Sequence, residues 1–286
     1  MAKSQSHTFG EFIGSFFEDT MKQPICTFAS QNGLYFDCIG ARSARNGKKV
    51  TWEDIYGSHH DLDFVLEEGG SDSVIGKPVA FIELAWRRYT KHSKNKVQEI
   101  AGAVNPIWAK YRLHNPFKGA ILCGQFTSNS LDQLKKDHFH VLYIPFEKLV
   151  QAFTTHGFDI SFDETTKETE FRRKYMVLTK KSNSDRLNCV RAELLKLCES
   201  EIKQFTDNLS IAYNRQIIKI NILPLHGCST EVVDITEAIS FINNYQDLPK
   251  TSQLKYIELI ITYNNGSIIQ CKFRDKEEAI VFLNHL

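Results

Sequence analysis

An α/β (α+β) protein, with a mixed central sheet flanked by helices and a small C-terminal βαββα unit, is the fold class this sequence predicts. Three observations predict it. Short apolar runs bounded by Gly- and Pro-rich turns read as strands, and they alternate with stretches of helical periodicity. The last quarter of the chain shows its own strand and helix alternation. Within that quarter, "YNNGS" is a strong hairpin signal.

The elements follow in order. Residues 8–22, "TFGEFIGSFFEDTMK", carry apolar residues at helical spacing and predict an amphipathic helix. "GLYFDCIGA" (33–41) and "DLDFVLE" (61–67) predict strands, the second ending at the turn-rich "EGGSDSVIGKP". "VAFIELA" (79–85) is the most apolar strand of the region. "SKNKVQEIAGAVNPIWAKY" opens on a serine suited to capping and predicts a helix. "GAILCGQF" (119–126) and "HFHVLYIP" (138–145) add strands, and "FEKLVQAFTTHG" predicts a helix closed by glycine. One long helix is expected over 185–214. Then come a strand at 216–223, a helix at 234–244, strands at 255–263 and 266–273, and a helix at 275–285. The expected division is a domain over 1–214 and a small subdomain over 215–286.

The chain has 286 residues, 42% of them hydrophobic, and a net charge of +1. That length buries a sizeable core. Near-neutrality means that any anionic partner must be attracted by a local patch. No stretch approaches the roughly 18 consecutive apolar residues of a membrane span, and "MAKSQSHTFGEF" lacks the apolar core of a signal peptide. Seven scattered cysteines without CxxC spacing suit reduced thiols in a cytoplasm.

The chemistry centres on three acids. In "DLDFVL", Asp61 and Asp63 alternate with Leu62 and Phe64, so both face the same side of the strand. Glu83 stands in the middle of "FIELA", where an unpaired carboxylate is costly. A hairpin joining the two strands sets Asp63 near Glu83, and converging carboxylates make a hard oxygen site suited to Mg²⁺. Such an ion serves water activation and charge stabilisation at a phosphodiester. The plainer reading has the aspartates facing solvent and Glu83 bridged to Arg87 or Arg88.

"DLDFVL", a glycine-rich turn, then "VAFIELA" with a basic helix behind it resembles the core of the PD-(D/E)XK nucleases, and more narrowly the type II restriction endonucleases. The resemblance covers roughly residues 8–150 and implies a restriction-endonuclease-like sheet. It further implies that Asp63 and Glu83, with Asp61 beside them, hold Mg²⁺, and that a lysine two residues past the glutamate orients the attacking water. That position here is Ala85. Either the protein is a dead nuclease or the cation has migrated, with Lys94 the first candidate, then Lys91, and Arg87 behind them. A long lysine side chain can reach back over the strand. Arginine holds phosphate but is a poor proton-transfer group.

Between residues 85 and 120 there are eight Lys/Arg and one acid, Glu99, a local net of +7. This stretch is expected to contact DNA phosphates, through Arg87, Arg88, Lys96 and His92. Arg172 and Arg173 head a second basic cluster in "FRRKYMVLTKK" (171–181). Glu11 and Glu18 on the first helix are further acids within possible reach of the metal, and "DHFH" offers His138 and His140 as a metal pair. The chain lacks a GxxxxGK[ST] motif, so ATP-driven chemistry is not indicated.

The expectation is therefore a cytoplasmic, Mg²⁺-dependent, type II site-specific deoxyribonuclease acting on double-stranded DNA. It would work as a homodimer, or as a heterodimer with a related subunit, because two antiparallel strands call for two sites in matching symmetry. A catalytically silent DNA-binding or regulatory protein on the same fold, and a structure-selective repair nuclease, are the alternatives. Neither a membrane partner nor a further cofactor is expected.

Overall fold

The computed structural model describes residues 4–225, 229–246 and 256–286. It is a mixed α/β structure with nine α-helices among those residues. The chain divides into two compact units, with the boundary after Ser210.

The first unit is built on a five-stranded sheet of order β1-β4-β5-β6-β7. Its strands are β1 (Tyr35–Cys38), β4 (Phe64–Glu68), β5 (Lys77–Arg87), β6 (Phe117–Gly124) and β7 (His140–Pro145). The first three run antiparallel, whereas β5, β6 and β7 run parallel. A parallel neighbour requires a crossover. Helix α2 (Ser93–Lys110) supplies the one between β5 and β6, and α3 (Ser128–Lys136) the next. A separate hairpin pairs β2 (Val50–Glu53) with β3 (His59–Leu62).

Side chains alternate along β5. Phe81 and Ala85 join Val97, Ile100, Ala101 and Val104 of α2 in one core, with Trp52 and Leu62 from the hairpin. On the opposite face, Trp86 packs on the glycines of α1 (Gln5–Gln31) and on Phe146 of α4 (Phe146–Thr155). Helix α5 (Glu168–Leu178) lies along α1, and α6 (Ser184–Leu197) along α4. Gly124 closes β6 onto the end of β5. It has φ +102°, and a Cβ there would stand 2.2 Å from the Arg87 carbonyl. Only glycine fits, so Gln125 N–H donates to that carbonyl at 2.8 Å and pins the strand end.

Three expectations need correction. The run 61–67 is not one strand. It bends at Asp63, with β3 before the bend and β4 after it in different sheets. The helix expected over 185–214 is two, α6 and α7 (Glu199–Tyr213), broken at Cys198. There Lys148 Nζ takes the Leu197 carbonyl at 2.9 Å and pairs with Glu201, giving that carbonyl a partner outside the helix. His138 has φ +62° and precedes β7, so it does not share a strand face with His140, which stacks on Phe117.

The second unit contains β8 (Ile217–Pro224), β9 (Thr230–Val232), α8 (Ile235–Asn244), β10 (Ile257–Tyr263), β11 (Ile268–Phe273) and α9 (Lys276–Leu283). Its antiparallel sheet has the order β11-β10-β8-β9. Short β9 makes it ββαββα, one strand more than expected. Ile220, Ile222, Leu259 and Ile261 pack with Ala238, Ile242, Ala279 and Leu283 as its core. No described helix is long and apolar enough to cross a membrane.

Candidate active site

The β4–β5 ladder decides where the acids fall. Phe64 pairs with Ile82, Val65 with Phe81 and Leu66 with Ala80. Extended by one residue, that register sets Asp63 opposite Glu83. Asp63 stands where the backbone ladder ends, and its side chain continues it: Leu84 N–H donates to Asp63 Oδ2 at 2.7 Å. Leu62 and Phe64 are both buried on either side, so the bend at Asp63 is fixed by packing in two sheets at once.

Glu83 lies on the α2 face of β5 and is only 8% exposed. Its Oε1 is buried and has no hydrogen-bond partner. Burial, and then the Asp63 carboxylate, push its pKa up to about 8, with Lys96 pulling the other way. Burial also raises Asp63, against the Leu84 amide and Lys96. Glu18 on α1 is raised by burial and then by Asp63, so a third carboxyl adds to the same negative potential. Among the described residues no group of three or more His, Cys, Asp or Glu side chains gathers as a metal cluster. Mg²⁺ characteristically takes one or two carboxylates and fills its remaining positions with water and phosphate oxygens. A bare, buried Glu83 oxygen beside Asp63 fits that donor set.

The cation that offsets these acids electrostatically is Lys96, which acts on both Asp63 and Glu83. Its Nζ bonds Glu99 at 2.7 Å, and Arg87 approaches Glu99 at 3.7 Å. The cations expected to stand in for the missing lysine, Lys94 and Lys91, lie elsewhere on the surface. Lys94 is exposed, and Lys91 lines a cleft on the α1 side. Residues two apart on a helix project about 160° apart at 3.6 residues per turn. Lys94 and Lys96 therefore flank the buried stripe of Val97, Ile100 and Val104 on opposite sides, and Lys96 is the one whose charge acts on Asp63 and Glu83. Periodicity identifies the two flanks, but the choice between them depends on how the helix docks.

Asp61 is also corrected. On β3 it accepts from Lys49 Nζ at 2.6 Å and Thr51 Oγ1 at 2.8 Å, across the separate hairpin. The other predicted residues are spread more widely. Arg87 follows Glu83 and Ala85 on the same strand face, and its Nε is buried without a partner. Arg88 donates to the Ser6 carbonyl at 2.8 Å and lies over the Tyr89 and Phe171 rings, anchoring the start of α1. His92 is in a 3-10 turn, Thr90–His92, and its side chain lies outside the described residues. On α5, Arg172 is exposed and Arg173 is paired with Glu170 at 2.6 Å. Glu11 pairs with His7 at 3.2 Å.

Compared with known proteins, the chain matches no family model, no curated protein and no solved structure.

Proposed function

We propose that this protein is a Mg²⁺-dependent endonuclease of the PD-(D/E)XK type, acting on double-stranded DNA in the manner of a type II restriction enzyme. The observation that carries the reading is the buried Glu83 carboxylate, with one oxygen unpartnered, beside Asp63 at the end of an antiparallel ladder. The element order supports it: helix, strand, a hairpin, the strand that Asp63 precedes, the Glu83 strand, then a crossover helix and a parallel strand.

Asp63 and Glu83 would hold the ion. Bound there, Mg²⁺ would supply Lewis acidity for water activation and for the charge at the scissile phosphate. Leu84 N–H fixes one Asp63 oxygen and so aims the other. Lys96 replaces the lysine missing at Ala85 and stabilises negative charge building on the phosphate oxygens. Arg87 clamps a phosphate. A two-fold homodimer, or a heterodimer with a related subunit, would bring two such sites to the two strands.

The test is plasmid cleavage with Mg²⁺ and with EDTA, alongside Mg²⁺ titration by calorimetry. Discrete metal-dependent fragments are expected, with Asp63→Ala and Glu83→Ala folded, inactive and impaired in Mg²⁺ binding. Full activity in either variant overturns the proposal. One observation favours a second reading, a silent DNA-binding protein: the position two residues past Glu83 is Ala85, buried in the core with α2, and carries no cation. Retarded plasmid that is never cut supports that reading.

A further inference from the structure

A cleft of about 570 Å³ opens between the start of α1 and the chain leaving β5. Arg87 connects it to the carboxylate site, since it lines the cleft and also approaches Glu99, the partner of Lys96. Arg88 and Tyr89 form one wall and Lys91 stands with them. His7 and Glu11 on α1 also line the cleft and answer each other at 3.2 Å. The balance of the lining is therefore cationic.

The opposite wall is α1 at Gly10 and Gly14, one turn apart in a helix interior. Glycine costs a helix stability relative to alanine. Packing does not require it here. A Cβ at Gly10 would meet only Trp86 Nε1, at 3.9 Å, and one at Gly14 would meet Trp86 at 3.7 and 3.8 Å. These are ordinary contacts, and neither glycine has a left-handed φ. The two glycines keep open a space that the fold itself does not need open. Arg87 Nε, on the same cleft residue, is a buried donor without a partner.

We propose that this cleft holds one nucleotide of the DNA strand flanking the scissile phosphate, its phosphate on Arg87 and Lys91 and its base against the glycine face of α1. This inference rests on the nuclease reading of the neighbouring carboxylates. A pocket of this size accepts a nucleotide, and a base can lie flat on a wall with no side chains to displace it.

The experiment measures binding of the intact protein to duplex DNA across a salt series, with Ca²⁺ in place of Mg²⁺. Gly10→Leu fills the cleft without removing charge. It is expected to weaken binding about tenfold at an unchanged salt slope. Lys91→Ala removes one phosphate contact and is expected to weaken binding and reduce the slope of log affinity against log salt by about 1. Gly10→Ala should raise the melting temperature, and a lowered one overturns the argument that packing does not need the glycine. If the parent protein cuts DNA while Gly10→Leu and Lys91→Ala both bind as it does, the cleft assignment alone falls. If the parent neither binds nor cuts duplex DNA, the nuclease reading falls and this inference with it. Should Gly10→Leu fail to fold, the slope of Lys91→Ala decides.

Discussion

Glu67 and Glu83 are both buried glutamates, on neighbouring antiparallel strands of one sheet, and their surroundings are opposite. Arg42 grips Glu67 with two bonds, at 2.6 and 2.9 Å, and Gly76 N–H adds a third at 2.6 Å. The same guanidinium reaches Asp37 at 2.8 Å and the carbonyls of Ser71 and Val74, while Arg45 holds Asp37 from the other side. Both oxygens of Glu67 are answered. Glu83 has Asp63 across from it, a like charge, and one oxygen with no partner. Burying a charge is tolerable when it is paired and hydrogen-bonded. The first acid is part of the scaffold. The second is held at a free-energy cost that the scaffold does not offset, and it is this cost that the proposed Mg²⁺ would relieve.

The largest effect should come from breaking the satisfied side. Arg42→Ala leaves Glu67 buried with the Gly76 amide in place of its guanidinium, while Asp37 keeps Arg45, and removing one partner of a buried ion pair costs about 3–5 kcal/mol. Urea unfolding measures this directly. A loss under about 1 kcal/mol would mean that water reaches the pair and that the two glutamates sit in similar surroundings.

Glu83→Gln sharpens the contrast because its sign should be reversed. The folded-state pKa of Glu83 is raised from 4.5 to about 8. The folded protein therefore binds this proton more tightly than the unfolded chain. Below about pH 4.5 both states carry it, and the group costs nothing. The cost appears as pH rises from 4.5 to 8 and is complete above that. In the absence of divalent metal, Glu83→Gln should therefore raise the melting temperature at pH 9 and leave it unchanged at pH 4. Glu67→Gln should lower it at neutral pH. Thermal melts across that range check both, and a pH-independent response of Glu83→Gln would refute the sign.

Lys96→Ala comes next. Turnover should fall on the order of 10²–10³ with a much smaller change in DNA affinity, because a group acting on transition-state charge changes rate more than binding. Single-turnover kinetics beside Lys94→Ala make the comparison. If Lys94→Ala shows the larger loss, the helix flank has been misassigned. The smallest effect belongs to Asp61→Asn. Its partners lie on an exposed hairpin, where an ion pair contributes about 0–1 kcal/mol, so cleavage and stability should both be nearly unchanged.

Much of this contrast was legible in the sequence, but unevenly. The proximity of Asp63 and Glu83 follows from two apolar runs joined by a turn-rich loop, because a hairpin determines its own register. The fate of Asp61 does not follow. The alternation in "DLDFVL" continues smoothly through a bend at which the chain changes sheets, and strand exchange leaves no trace in a period of two. Lys96 was visible as a cation but not as the one whose charge acts on both acids. The break at Cys198 was hidden because Lys148 acts from 49 residues away. The Arg42 network is the extreme case. Its partners lie 5 and 25 residues off, at spacings no local periodicity reports.

That network also acts as a registration pin. A slip of one residue between β4 and β5 would turn Glu83 to the opposite face of the sheet and destroy the site, although the hydrophobic count of the strand would barely change. Arg42 fastens the closed end of the same hairpin, through Glu67 and the turn carbonyls of Ser71 and Val74, while Asp63 and Glu83 stand at its open end. Added length at the solvent-facing tip of the turn, between those two carbonyls, leaves the strands aligned so long as both still reach the guanidinium. A single residue inserted within β4 does not. For anyone grafting these carboxylates onto another protein, the arginine and its turn must travel with them as one cassette.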